Sequence, residues 1–167
     1  MIMQDYQHFY QRISAPIRKH PRQVTVLRLT NRAIEVLMYL AYLGMVGQQV
    51  WTRHGAAWSI IVVPGVGFVL VSLARNFLNV PRPYEQWTLC PLISREKTGD
   101  SFPSRHVFSA MTIAMVAYRV WWPLGIFLVF LTVLLALIRV VGGVHYPKDV
   151  LAGMAAGLVC GALLWLF

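Results

Sequence analysis

The chain is short of charge, and of negative charge above all. Six Asp and Glu stand among 167 residues, against 15 Lys and Arg, and the four types together make up 13%. Soluble domains carry roughly a quarter. Apolar residues reach 57%. That balance excludes a disordered chain and an ordinary soluble enzyme, and it points to an integral membrane protein. The formal charge of +9 suits anionic lipid or a phosphorylated substrate. It does not indicate nucleic acid, because most of the chain is too apolar to stand in water. Two cysteines, Cys90 and Cys160, are too few for a disulfide framework, and both read as free thiols. CxxC and HExxH spacings are missing, which removes the familiar zinc motifs. Internal repeats, low-complexity tracts and a cleavable signal peptide are missing too.

What is present is a set of long apolar runs. Val36–Thr52, Gly55–Ala74, Val120–Ile138 and Val150–Phe167 contain no Asp, Glu, Lys or Arg and run 17 to 20 residues each. About 20 residues of helix cross a hydrocarbon core of about 30 Å. A backbone in lipid must satisfy its own hydrogen bonds, so these are read as helices. Val107–Tyr118 is too short alone. Extended from Ser104 to Trp122 it makes a fifth span, with Arg119 snorkelling and Trp121 and Trp122 at an interface. The expectation is an all-α, multi-pass bundle of about five spans in the plasma membrane.

Residues 1–32 differ. Tyr6, Phe9, Tyr10 and Ile13 recur at helical spacing, and Arg12, Arg18, Lys19, Arg22, Arg28 and Arg32 follow. This reads as an interfacial amphipathic segment leading into a basic stretch, or as a solvated basic tail. The expected division is therefore 1–32 and a membrane-embedded unit, 33–167.

Counting spans places the loops Arg75–Pro103 and Arg139–Asp149 on one side of the membrane. The other side keeps only short turns near Arg53 and Arg119. The first loop contains Arg75 and Arg82 and leads into Ser104, Arg105 and His106, and the second contains Arg139, His145 and Asp149. Charges at a membrane boundary are costly unless satisfied, so such a cluster indicates a polar ligand. Arginine forks suit phosphate oxygens. Ser104 and His106 fall where a helix begins, and free backbone N–H groups there favour an anion. His145 and Asp149 are four residues apart. With a helix starting near Pro147, the carboxylate can lie beside the imidazole, fix its tautomer and leave the other nitrogen to attack. His106 can protonate a leaving oxygen. The chemistry that fits is phosphoryl transfer to histidine and then to water.

Three blocks carry a resemblance. Arg75-x6-Arg82-Pro83, Pro103-Ser104-Arg105-His106 and Arg139-x5-His145-x3-Asp149 are similar to the K-x6-RP, PSGH and SR-x5-H-x3-D motifs of the type 2 phosphatidic acid phosphatase (PAP2) family, related in fold to vanadium haloperoxidases. The resemblance runs from about Gly55 to the C-terminus. It implies His145 as nucleophile, Asp149 as its orienting partner, His106 as general acid, and Arg75, Arg82, Ser104 and Arg139 as phosphate ligands. It also implies chemistry without metal or cofactor. Three positions depart from the motifs. Arg75 replaces a Lys, Arg105 replaces a Gly, and Ile138 replaces a Ser. Arg105 either faces water or adds a contact to a second phosphate or a headgroup.

The substrate implied is a phosphorylated membrane lipid such as undecaprenyl diphosphate, phosphatidylglycerol phosphate or phosphatidic acid, with a preference for the first by analogy. The alternatives are an inactive lipid-binding or scaffold protein of the same fold, and an oxidase using vanadate. Nothing in the sequence specifies an oligomeric state. The basic N-terminus places itself in the cytoplasm by the positive-inside rule, and with five spans the site lies on that side. Many members of the family act on the outer side, which here requires an extra crossing or re-entrant dip within residues 1–32. Of the other residues, Glu35 is expected to pair with Arg32 or face water. Glu96 and Lys97 are expected in a solvated loop. The small residues Ala152, Gly153, Ala155, Ala156, Gly157, Gly161 and Ala162 are expected on a close-packing face.

Overall fold

The computed structural model describes residues 2–52, 57–94 and 98–167, with side chains from Tyr6 onward. Arg53, Glu96 and Lys97 fall outside the described residues. The described residues form seven α-helices and no strand. These are α1 (Ile2–Arg18), α2 (Pro21–Trp51), α3 (Ser59–Leu78), α4 (Pro83–Gln86), α5 (Arg105–Val120), α6 (Trp122–Val141) and α7 (Pro147–Ala162). A short 3-10 helix, Leu163–Leu166, ends the chain.

Four of the helical stretches are long and apolar enough to cross a membrane: Pro21–Trp51, Ser59–Gln86, Trp122–Val141 and Pro147–Leu166. The fifth expected segment is α5. It stops at Val120 rather than Trp122, because Trp121 adopts an extended backbone (φ −155°) and Pro123 opens α6 at once. Its 16 residues rise only about 24 Å. It is the central helix, packed against α2, α3, α6 and α7. Val107, Ala114, Val116 and Ala117 on it are fully buried.

Lipid tails are as apolar as Leu, so packing inside the bilayer depends on close approach and van der Waals contact. The α7 glycines provide it. A Cβ on Gly153 would lie 2.5 Å from the Ser104 carbonyl oxygen, and one on Gly157 would lie 2.7 Å from Met111 Cβ. Of the expected close-packing series, Gly153, Gly157 and Gly161 meet α5, while Ala155 and Ala162 on the other side of α7 are exposed. Outward-facing Leu40, Leu43, Val66, Leu70, Leu73 and Phe130 stay exposed, as bilayer-facing side chains should.

The 31 residues of α2 rise about 46 Å, well beyond a hydrocarbon core of about 30 Å. The helix runs unbroken through Arg32 and Ala33, where the composition changes. Its first turns therefore project past the apolar region on the side of the two long loops. There α1 lies against those loops. Tyr6 packs on Tyr146 with ring centroids 4.7 Å apart, and the Tyr10 hydroxyl donates to the Cys90 carbonyl at 3.3 Å. Gly143 ends α6 with φ +77°, and Tyr10 sits where its Cβ would be. Only glycine meets both demands comfortably.

Candidate active site

Each motif residue sits at a helix end on that same face. Arg75 occupies the last turn of α3, which Asn79 closes in a left-handed conformation. Its Nη1 donates to the Pro103 carbonyl at 3.0 Å, and its Nη2 donates to the Asp100 carbonyl. Arg82 precedes α4, and its Nε donates to the Gly99 carbonyl at 3.0 Å. Glu85 braces the same turn. It accepts the Arg82 backbone N–H at 2.8 Å and the Gly99 backbone N–H at 2.8 Å. Arg139 lies in the last turn of α6. All three arginines are buried, two of them anchored by loop carbonyls and so pre-set for an anion.

The second and third motifs are joined directly. The Ser104 N–H donates to the Asp149 carbonyl at 2.9 Å, which sets the start of α5 against the start of α7. Ser104 Oγ is buried and has no hydrogen-bond partner among the described residues. Asp149 Oδ2 accepts the Ser101 hydroxyl at 2.5 Å and the Tyr146 backbone N–H at 3.0 Å. The same oxygen lies 3.6 Å from His145 Nδ1. That is just beyond a hydrogen bond, and catalytic contacts of this kind commonly tighten when substrate binds. Burial pushes the imidazole of His145 down to about 4, with Asp149 opposing and the charges of Arg139 and Arg82 adding to the drop. The ring is therefore neutral at pH 7 and keeps a lone pair for attack.

Arg75, Arg82, Arg105, Arg139 and His106 line a cavity of about 760 Å³, together with Arg28, Asn31, Arg32 and Glu35 from α2. His145, Asp149 and Ser104 are not on its surface; all three are fully buried. Arg105 is exposed, with its guanidinium 5.4 Å from the Phe68 ring centre. Phe68 also lines an apolar cavity of about 250 Å³ between α2, α3 and α5. Polar and apolar spaces thus meet at Arg105 and Phe68.

A family model for the PAP2 superfamily matches residues 56–167. The chain belongs to the PAP2 superfamily. Among curated proteins, it is 33% identical over 105 residues to undecaprenyl-diphosphatase BcrC of Bacillus subtilis, covering 60% of this chain and 52% of that protein. It is 44% identical over 62 residues to the putative undecaprenyl-diphosphatase YbjG of Escherichia coli, covering 36% of this chain and 31% of that protein. The matches thus span about half or less of these relatives. Among solved structures, Aquifex aeolicus LpxE superposes with a TM-score of 0.75 at 23% identity, covering 96% of this chain and 94% of that one. A PAP2-type phosphatidylglycerolphosphate phosphatase from Bacillus subtilis superposes with a TM-score of 0.71 at 22% identity, covering 98% and 86%. These likenesses show that the PAP2 fold extends over nearly the whole chain.

Two polar residues of this PAP2 site escaped the sequence reading in their roles. Glu35 pairs with Arg139 and His106 rather than with Arg32, on the wall of the polar cavity. It lies fourteen residues inside α2, with Oε1 3.6 Å from Arg139 Nη1 and 3.7 Å from His106 Nε2. Asn31 Nδ2 donates to the same oxygen at 2.8 Å. The one acid of α2, following Arg28, Asn31 and Arg32 where its apolar run begins, was the available signal. Ser101 lies outside all three motifs, and nothing in its spacing marks it as the donor to Asp149.

Proposed function

We propose that the chain is an integral membrane lipid phosphatase acting on a phosphomonoester or diphosphate through a phosphohistidine. The observation that carries this reading is a buried, neutral His145 with Asp149 at Nδ1, among three buried arginines. With Nδ1 turned to the carboxylate, Nε2 is the nucleophile. Arg75, Arg82 and Arg139 offset charge on the transferring phosphoryl group. Ser104 and the backbone N–H groups opening α5 add donors. His106 gives a proton to the leaving oxygen and then takes one from the water that cleaves the N–P bond. No step calls for a metal. The lipid chain lies between helices, with the apolar cavity beside Phe68 as its entry. The name of BcrC supports undecaprenyl diphosphate as the first substrate to try. Phosphatidylglycerol phosphate and phosphatidic acid complete the class.

The test is phosphate release by the detergent-purified chain from those three lipids in EDTA, beside His145→Ala. Release that persists in EDTA and disappears in the variant is the expected result. No release from any lipid by folded protein would overturn the reading and favour a lipid-binding protein of the same fold.

A further inference from the structure

One stripe of α2 carries Arg28, Asn31, Arg32 and Glu35. The spacing i, i+3, i+4, i+7 stacks them on a single helix face, and all four line the polar cavity. None lies within residues 56–167, which the family model matches. The stripe is thus a wall added to the three motifs.

Glu35 tells which part of the reaction this wall faces. Its carboxylate sits 3.6 Å from Arg139 Nη1 and 3.7 Å from His106 Nε2, so the wall borders the transferred phosphoryl group at Arg139 and continues past it through His106. On the phosphatase reading above, His106 is the proton donor and so marks the side of the leaving group. Arg32 stands one turn from Glu35 on the same face. Arg28 stands one further turn away, its Nε donating to the Leu92 carbonyl at 2.6 Å. Arg105, next to His106 in the chain, lines the same cavity, with its guanidinium against the Phe68 ring.

Cations on the leaving side are informative. A prenol or diacylglycerol leaving from its phosphomonoester is neutral once protonated and gains nothing from arginines around it. A leaving phosphate keeps its negative charge throughout and gains from each of them. Arg75, Arg82 and Arg139 already suffice for the phosphoryl group that moves.

We propose that Arg32, with Arg28 and Arg105, forms a subsite for the non-transferred phosphate of a lipid diphosphate. This rests on the phosphatase reading. His145 Nε2 bonds to the terminal phosphorus. The bond from that phosphorus to the bridging oxygen breaks, and its electron pair stays on the oxygen. That oxygen takes the His106 proton and departs as part of the lipid monophosphate. Water then displaces the histidine, gives a proton back to His106, and inorganic phosphate leaves.

The test compares farnesyl diphosphate, farnesyl monophosphate and phosphatidic acid in identical detergent micelles, using the full chain in EDTA. Arg32 is exposed, so Arg32→Gln leaves the fold intact. Wild type is expected to favour the diphosphate over the monophosphate in kcat/KM by roughly tenfold or more, the scale of one charge-assisted contact. Arg32→Gln should shrink that ratio by about tenfold, and Arg32→Lys should retain most of it. Equal or better turnover of the monophosphate by wild type would overturn the subsite. So would a Gln variant that lowers both prenyl substrates by one factor. Release from phosphatidic acid alone would sink the subsite and leave the phosphatase reading standing. Release from none of the three, nor from undecaprenyl diphosphate or phosphatidylglycerol phosphate, would sink both.

Discussion

His145 is the side chain whose burial has a measurable signature. Its folded value of about 4 lies below the ordinary 6.5 or so of an unfolded histidine. Between those values the unfolded chain binds the extra proton, so stability is complete above about pH 6.5 and is lost as pH falls toward 4. The loss is about 3 kcal/mol. Melting in detergent from pH 7 to 4 should show it, and His145→Gln should flatten that part of the curve. The same shift sets the acid limb of kcat/KM for the free protein near 4. Glu35 holds the other candidate histidine, with Oε1 3.7 Å from His106 Nε2, so Glu35→Gln should reduce kcat more than it raises KM. A role confined to folding would lower the melting temperature and leave kcat per folded protein unchanged. Ser101→Ala removes one of two donors to Asp149 Oδ2. It should cost roughly tenfold in kcat, consistent with one charge-assisted hydrogen bond.

Among the elements, α5 and α7 set the site, because their N-termini meet through Ser104 and Asp149. Their spacing depends on glycine. Gly157→Leu would drive a side chain into Met111 and the Phe108 carbonyl, both within 2.8 Å of its Cβ position. Overpacking of this kind costs about 1–3 kcal/mol, so the melting temperature in detergent should fall and turnover should fall with it. Gly65→Ala is the contrast. A Cβ there meets nothing within 4 Å, and the change should be neutral or slightly stabilising. The small residues of α7 announced a close-packing helix without saying which of them face α5, as the glycines do and the exposed Ala155 and Ala162 do not, and the apolar runs announced α3 and α6. The junction at Trp121 was less legible. Trp121 and Trp122 look alike as interface residues, yet one ends α5 and the other begins α6. The backbone reversal imposed by packing α5 on α6 decides between them.

At the scale of the whole molecule, α1 straps the face of the candidate site. Tyr6 and Tyr10 touch the loops on either side of the motifs, and the Arg18 guanidinium donates to the Cys90 carbonyl. The N-terminal helix and the candidate site therefore share one face, and α1 is not among the helices long and apolar enough to cross. Cys90 is exposed on that face and Cys160 is buried. An impermeant thiol reagent applied to intact cells should leave Cys90 unlabelled if the basic N-terminus lies in the cytoplasm, and should label it after permeabilisation. Labelling of intact cells would place the site on the outer side.

Composition alone determined that this chain belongs in a membrane, since 57% apolar residues with so few acids have nowhere else to fold. Spacing alone determined that Arg75, Arg82, Arg139, Ser104, His106, His145 and Asp149 fall at helix ends, because the helix length that lipid demands fixes where loops begin. Tertiary structure decided the rest. Only packing turned Glu35 from a helix-face acid into the partner of Arg139 and His106, placed Ser101 on Asp149, and sealed His145 from water. Those contacts join residues tens of positions apart, and no local period encodes them.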